Sequence, residues 1–320
     1  MTTMQDDLKM PKMALGAWAW GSGMAGGDQV FGHSLTKEDL KPVFDKALEL
    51  GLNLWDTAAA YGMGSSEEIL GEFIKDAGRD KVIISTKFTP QLATDSPNTM
   101  EENFEASAKR LNSDYFDIYW IHNPADVEKW TNKIIPLAKS GKIKYIGVSN
   151  HDLEELKLAN SILQKEGLKV SAVQNHFSLL NRSSESSGIL DYCKENDITF
   201  FSYMVLEQGA LSGKYDTNHP FPEGSDRGKV YNDSLPQLEK LVNFMKEIAD
   251  NHNASVAQIG TAWAIAKGTT PIVGVTKISH VEDAAKSAQL KLSDDEIKSM
   301  ETLADETKVK TVREWEKTMK

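Results

Sequence analysis

This sequence predicts a single closed (β/α)8 (TIM) barrel, an α/β fold over residues 1–320 with long loops at its C-terminal face. Three observations carry that expectation. Eight short apolar runs rich in β-branched and aromatic residues recur along the chain. Amphipathic segments of helical period lie between them. Several of the runs are apolar on both faces, as strands of a helix-covered parallel sheet must be.

The runs come in order. They are "MALGAW" at Met13, "LNLWDT" at Leu52, "KVIISTKF" at Lys81 and "FDIYWIH" at Phe116. "IKYIGVSN" at Ile143, "SAVQNHF" at Ser171, "ITFFSYM" at Ile198 and "PIVGV" at Pro271 follow. The helical segments fit the gaps. "TKEDLKPVFDKALELG" opens on Thr36 with Glu38 and Asp39 in its first turn, an N-cap signature, and stops at Gly51. "SSEEILGEFIKDAG", "MEENFEASAKRLN", "DLEELKLANSILQKEG", "LPQLEKLVNFMKEIADNH" and "SVAQIGTAWAIAKG" repeat the pattern. In "SDDEIKSMETLADE", Ser293 and Glu296 form a capping box. The longest interval lies between the seventh and eighth strands. It holds the Gly/Pro/Asp-rich "SGKYDTNHPFPEGSDRGKVYND", which reads as a functional loop. No linker or low-complexity tract divides the chain.

A chain of 320 residues, 40% hydrophobic and 26% charged, has enough core for one such barrel. Its net charge of −11 argues against a nucleic-acid partner, which requires a concentrated basic stripe. It does not exclude an anionic small molecule held by local cations. The lone Cys193 forms no internal disulfide and reads as a core residue. "MTTMQDDLKMPKM" lacks a basic-then-apolar leader pattern, and no apolar run approaches the roughly 18 residues of a membrane span. The expectation is a cytoplasmic protein acting on a small molecule, with no membrane partner.

In a barrel of this class, chemistry belongs where strands end. Asp56 ends the second run, Lys87 the third and His122 the fourth. Ser149 and Asn150 end the fifth, and Gln174 and Asn175 lie in the sixth. Each has a structural alternative when taken singly. Asp56 could cap a helix, Lys87 could snorkel, His122 could be a satisfied core histidine, and Tyr61 could cover the barrel mouth. Together they are costly to bury without a purpose. A carboxylate beside a lysine keeps the ammonium charged, and that cation lowers the pKa of a nearby phenol. Such a set can protonate a carbonyl oxygen while hydride reaches its carbon, and a nicotinamide would carry the hydride.

With "DTAAAYGMGSSEEILG", "ISTK" and "WIHNP" in this order, the sequence resembles the aldo-keto reductase superfamily over most of its length. The resemblance implies reversible, NADPH-dependent reduction of an aldehyde or ketone. Tyr61 is then the general acid, Lys87 and Asp56 tune it, and His122 orients the carbonyl. It also implies a cofactor site. Ser149, Asn150 and Gln174 fall on the nicotinamide carboxamide, and the Tyr203 ring stacks on the nicotinamide. Leu206, Gln208, Gly209, Leu211 and Lys214 cover the pyrophosphate. Gly274, Thr276, Lys277, His280 and Asp283 grip the adenosine phosphate, and Trp18 of the first loop joins the set. No metal is implied. His280 stands where many relatives have arginine, and Asp283-Ala284 where many have Glu-Asn. NAD is therefore kept beside NADP as cofactor, with Lys277 as the cation for a 2′-phosphate. Met204-Val205 replaces a frequent Ser-Pro or Ala-Pro, and Ala17 a frequent threonine.

Trp18, Trp20 and Met24 are candidates for an apolar substrate wall. The helix-like "KVKTVREWEKTMK", with Trp315, either folds over the mouth or packs outside. Arg182 and Glu185 read as a structural ion pair. Two further functions remain open. One is a redox-poor, nucleotide-binding regulatory subunit. The other is a Schiff-base aldolase with Lys87 as nucleophile. The seven histidines form no metal-hydrolase spacing.

Overall fold

The computed structural model describes residues 10–313 and 316–320. Trp315 lies outside the described residues. Eight parallel strands close into a barrel in sequence order. The strands are β1 (Ala14–Gly16), β2 (Leu54–Asp56), β3 (Ile83–Phe88), β4 (Phe116–Ile121), β5 (Ile143–Ser149), β6 (Ala172–His176), β7 (Thr199–Tyr203) and β8 (Thr270–Gly274). β8 pairs back onto β1 through Ala14 and Ile272, so the sheet has no edge.

Helices α1 (Gly27–Phe31) and α2 (Lys37–Glu49) follow β1, and α3 (Ser65–Ala77) follows β2. Next come α4 (Thr99–Arg110), α5 (Val127–Lys139) and α6 (Leu153–Gln164), one after each of β3 to β5. α7 (Ser183–Ser186) and α8 (Ile189–Glu195) follow β6. α9 (Asp226–Tyr231), α10 (Leu235–Asn251) and α11 (Val256–Ala266) separate β7 from β8, and α12 (Ile278–Ser287) and α13 (Asp294–Thr307) close the chain. α2 and α13 start on the capping boxes the sequence carries, Thr36 with Asp39 and Ser293 with Glu296.

The sequence predicts no helix over α1, α5, α7, α8, α9 or α12. α5 carries Pro136 in its interior, a residue that normally breaks a helix, and α1, α7 and α8 are too short to show a period. Of the expected loop 212–233 between β7 and β8, 212–225 is irregular, and the rest forms α9 and the start of a short 3-10 turn. The C-terminal segment is also not helical: 308–313 and 316–320 run without regular structure along the rim. Leu153 N donates to Lys320 O at 3.4 Å, and Lys317 pairs with Asp152 and Glu155 of the α6 capping box.

Strand side chains alternate, so residues two apart share the barrel interior. That interior is plugged by Ala14, Leu54, Ile118, Trp120, Tyr145, Ala172 and Phe201. Trp120 lies flat against Gly147, where a Cβ would come within 2.1 Å of the indole. Gly147 is therefore the space that the plug fills. At the opposite, N-terminal end, Asp117 accepts from Arg79 at 2.7 Å, Lys144 at 2.8 Å and Ile84 N at 2.9 Å. Among the described residues, no helix is long and apolar enough to cross a membrane.

Candidate active site

The same alternation that builds the plug carries polar groups up to the C-terminal rim. Leu54 leads to Asp56, Ile83 to Ser85 and Lys87, and Ile118 to Trp120 and His122. Register places Asp56 beside Ser85, and Lys87 beside Trp120. Asp56 Oδ2 accepts from Lys87 Nζ at 2.5 Å. Its Oδ1 accepts from Ser85 Oγ at 2.7 Å and Gln174 Nε2 at 3.1 Å. Trp120 Nε1 in turn donates to Ser85 Oγ at 2.6 Å, so the plug holds the carboxylate in place.

Lys87 is fully buried. Its ammonium donates to Asp56, to Thr57 O at 2.9 Å and to Tyr61 OH at 3.1 Å, which uses all three hydrogens. Burial opposes the charge, but Asp56 and Tyr61 outweigh it and hold the pKa above that of an ordinary lysine.

Tyr61 stands at the start of a turn of left-handed backbone. Gly62, Met63 and Gly64 all have positive φ, at 58°, 51° and 100°. A Cβ on Gly62 would meet Ser65 Oγ at 2.2 Å and Ser22 O at 2.6 Å. Ser22 N donates to Ser65 Oγ at 2.8 Å, and Ser66 Oγ to Ala17 O at 2.7 Å, tying the turn to the first loop.

The sequence reading expected a phenol made unusually acidic by the lysine. The structure corrects this: burial raises the Tyr61 pKa above its ordinary value, although Lys87 pulls it down, and Asp56 adds to the rise. Desolvating a phenolate in the narrow rim costs more than one already-neutralised ammonium returns.

His122 follows β4, its ring centroid 6.0 Å from that of Tyr61. Burial, and then Lys87, lowers its pKa to about 3, so the imidazole is neutral. Thr89 Oγ1 lies 2.8 Å from Nδ1. A hydroxyl donating there leaves the ring proton on Nε2. Thr89 was missed by the sequence reading, because it lies one residue beyond the third strand.

Trp18 stacks on Tyr61 at 5.6 Å and meets Phe31 edge-on at 5.4 Å. Met24 is exposed, whereas Trp20 is no part of a substrate wall. It is 1% exposed, packs on Trp55 and donates to Val275 O at 2.6 Å, because the barrel end needs a bulky seal.

The residues expected to meet a dinucleotide line the rim from β5 to β8. Ser149 is buried, and Asn150, at φ 62°, donates to His122 O at 3.0 Å and Ser149 Oγ at 3.1 Å. Tyr203 OH lies 2.6 Å from Asn150 Oδ1. Gln174, besides its place on the rim, supports Asp56. After β7, Met204, Glu207 and Gln208 take left-handed backbone, which bends the chain outward without proline. Leu206 and Gly209 lie in that bend, with Gly209 N donating to Leu206 O at 2.8 Å. Leu211, expected to cover the pyrophosphate, is instead fully buried in the core. Gln208 Oε1 accepts from Arg313 at 3.2 Å.

Lys214 and Lys277 are exposed on two different loops, yet both depress His280, after burial itself. They therefore face one region with the start of α12, beside the open Gly274. Arg227, unremarked in the sequence, sits over the rings of Phe31, Tyr215 and Phe221 and donates to Gln208 O at 3.3 Å. Cations from separate loops beside a helix N-terminus suit the phosphates of a dinucleotide. Thr276 N donates to His280 Nδ1 at 3.3 Å, and Asp283 accepts from Gln258 at 2.5 Å.

Two other readings are settled by position. Cys193 is a core thiol, its pKa pushed up to about 12 by burial. Arg182 forms its main pair with Asp305, at 2.6 and 2.7 Å, and approaches Glu185 only to 3.9 Å.

Comparison with known proteins agrees with this geometry. The chain is 31% identical to the chloroplastic pyridoxal reductase of Arabidopsis thaliana over 316 residues, covering 94% of this chain and 85% of that one. It is 30% identical to the aldo-keto reductase yakc (NADP(+)) of Schizosaccharomyces pombe over 310 residues, covering 91% and 89%. An aldo/keto reductase from Klebsiella pneumoniae, solved with NADP and acetate, superposes with a TM-score of 0.72 at 25% identity, covering 97% and 95%. The sequence profile of the Aldo/keto reductase family matches residues 12–305. With that match spanning nearly the whole barrel, this chain belongs to the aldo/keto reductase family.

Proposed function

We propose that this chain reduces an aldehyde or ketone to an alcohol, reversibly, with NADP(H) as cofactor and Tyr61 as the proton donor. The observation that carries the reading is the saturated Lys87. Its third hydrogen reaches the phenol oxygen at 3.1 Å, while Asp56 and Thr57 take the other two. The Tyr61 oxygen thus accepts from Lys87 and keeps its own O–H free to donate.

A raised pKa keeps that phenol protonated at neutral pH, the form reduction needs. As the proton leaves for the substrate oxygen, the ammonium stabilises the charge that develops on the phenol. Neutral His122, with Nε2–H beside Tyr61, is suited to hold the same substrate oxygen. The hydride would come from the dihydronicotinamide of a bound NADPH. Lys214, Lys277 and Arg227 are the cations on hand for its phosphates, and Asn150 offers a carbonyl to its carboxamide.

An aldolase would need Lys87 as a neutral amine. Its three hydrogen bonds and raised pKa oppose that. A redox-poor regulator would lack carbonyl-dependent turnover. Measuring NADPH oxidation with a panel of aldehydes and ketones, in the wild type and Tyr61→Phe, separates these readings. Tyr61→Phe is expected to lose roughly 10²–10⁴-fold in rate with cofactor binding retained. Equal turnover in that variant would overturn the assignment.

A further inference from the structure

The C-terminal tail meets the ends of β6 and β7 in one buried polar cluster. His176 Nε2 donates to Glu207 Oε1 at 2.8 Å, and Nδ1 to Glu316 Oε2 at 2.9 Å. All three side chains are at most 2% exposed. An imidazole with a carboxylate on each nitrogen is doubly protonated. Burial opposes the charge, but Glu207 and Glu316 push the pKa up to about 10. Glu207 is further held by Ser178 and by Tyr231 OH at 2.5 Å.

Glu316 has a second task. Its Oε1 lies 2.8 Å from Tyr203 OH, and Arg313 N donates to its Oε2 at 3.0 Å. The same Tyr203 oxygen lies 2.6 Å from Asn150 Oδ1. One phenolic hydrogen therefore faces two acceptors. Asn150 cannot answer with its amide hydrogens, because Nδ2 donates to His122 O and Ser149 Oγ. Burial keeps Tyr203 a neutral phenol, its pKa well above the ordinary value. The two acceptors share that hydrogen, and the more of it Glu316 draws, the less Asn150 Oδ1 is engaged.

We propose that Glu316 is a positioning residue for cofactor binding: it shares the hydrogen of Tyr203 with Asn150 and so leaves Asn150 Oδ1 a stronger acceptor for the nicotinamide carboxamide. This rests on the reading of the rim as a nicotinamide site. The tail thereby acts on the cofactor through Tyr203 without touching it. Loss of the Glu316 acceptor commits the Tyr203 hydrogen wholly to Asn150, which occupies one of the two lone pairs of Oδ1 and weakens it as an acceptor for the carboxamide. Removal of the Tyr203 hydroxyl makes Glu316 irrelevant to binding.

A double-mutant cycle on the full chain reads this directly, as NADPH dissociation constants from fluorescence titration. Glu316→Met is expected to weaken NADPH about ten-fold. Tyr203→Phe, and the double variant with Glu316→Met, are expected to bind within about three-fold of each other. Glu316→Ala repeats the cycle if the methionine chain does not fold. An equal loss in both backgrounds, or no loss in either, would each overturn the inference while the site reading stands. A wild-type chain that binds neither NADPH nor NADH overturns both.

Discussion

Lys87 Nζ and the phenol oxygen of Tyr61 are 3.1 Å apart, and the hydrogen between them belongs to the lysine. The direction of that bond decides how the site responds to pH. The phenol is raised above its ordinary value of 10.0 by burial, so Tyr61 is protonated throughout the neutral range. The reduction rate should stay level from about pH 6 to 9, while alcohol oxidation, which needs the phenolate, should climb with pH by up to about ten-fold per unit. Initial rates in both directions, at saturating cofactor, check this. A reduction rate that falls across this window would place the acid's pKa inside it.

Asp56 and Lys87 are 4% and 0% exposed, so each is compensated chiefly by the other. Lys87→Met leaves a carboxylate with only Ser85 and Gln174 and should cost about 3–5 kcal/mol of stability. Adding Asp56→Asn should recover part of that loss without recovering activity. Urea denaturation of the two variants beside the wild type measures both effects.

The histidines set two opposite pH dependences of stability. His176 has a folded pKa of about 10 against an ordinary 6.5. Its contribution is complete below pH 6.5 and is lost as pH rises through 10. His122 and His151, lowered by burial to about 3 and about 4, contribute fully above pH 6.5 and lose that contribution as pH falls. Denaturation midpoints should decline between pH 6.5 and 10, and His176→Gln should flatten that limb. An unchanged alkaline slope in the variant counts against the charged clasp.

Lys277 is an exposed cation beside the start of α12, opposite Lys214. Lys277→Ala should weaken NADP by about ten-fold and NAD by much less, since only NADP carries the additional phosphate. Isothermal titration with both dinucleotides tests it, and an unaltered preference removes Lys277 from phosphate contact.

Much of this architecture could be read from residue types alone, for definable reasons. All eight strands announce themselves because a parallel sheet buries both faces, leaving unbroken apolar runs. Asp56, Lys87 and His122 stand out as ionisable groups ending such runs, and the period of two puts them on the same face as Leu54, Ser85 and Trp120. α5 stayed hidden behind Pro136. The Tyr61 pKa stayed hidden because burial depends on neighbours, whereas spacing suggests only charges. Glu316 had no local signal at all: its partners, His176 and Tyr203, lie more than a hundred positions earlier in the chain.

Asp117 gathers Arg79, Lys144 and the Ile84 amide at the foot of the barrel, a full strand's length from Tyr61. Upkeep and chemistry are thereby housed at opposite poles. An engineer can rebuild the upper loops for a new carbonyl and leave this lower fastening untouched, or harden the base for hot solvents without retuning the catalyst.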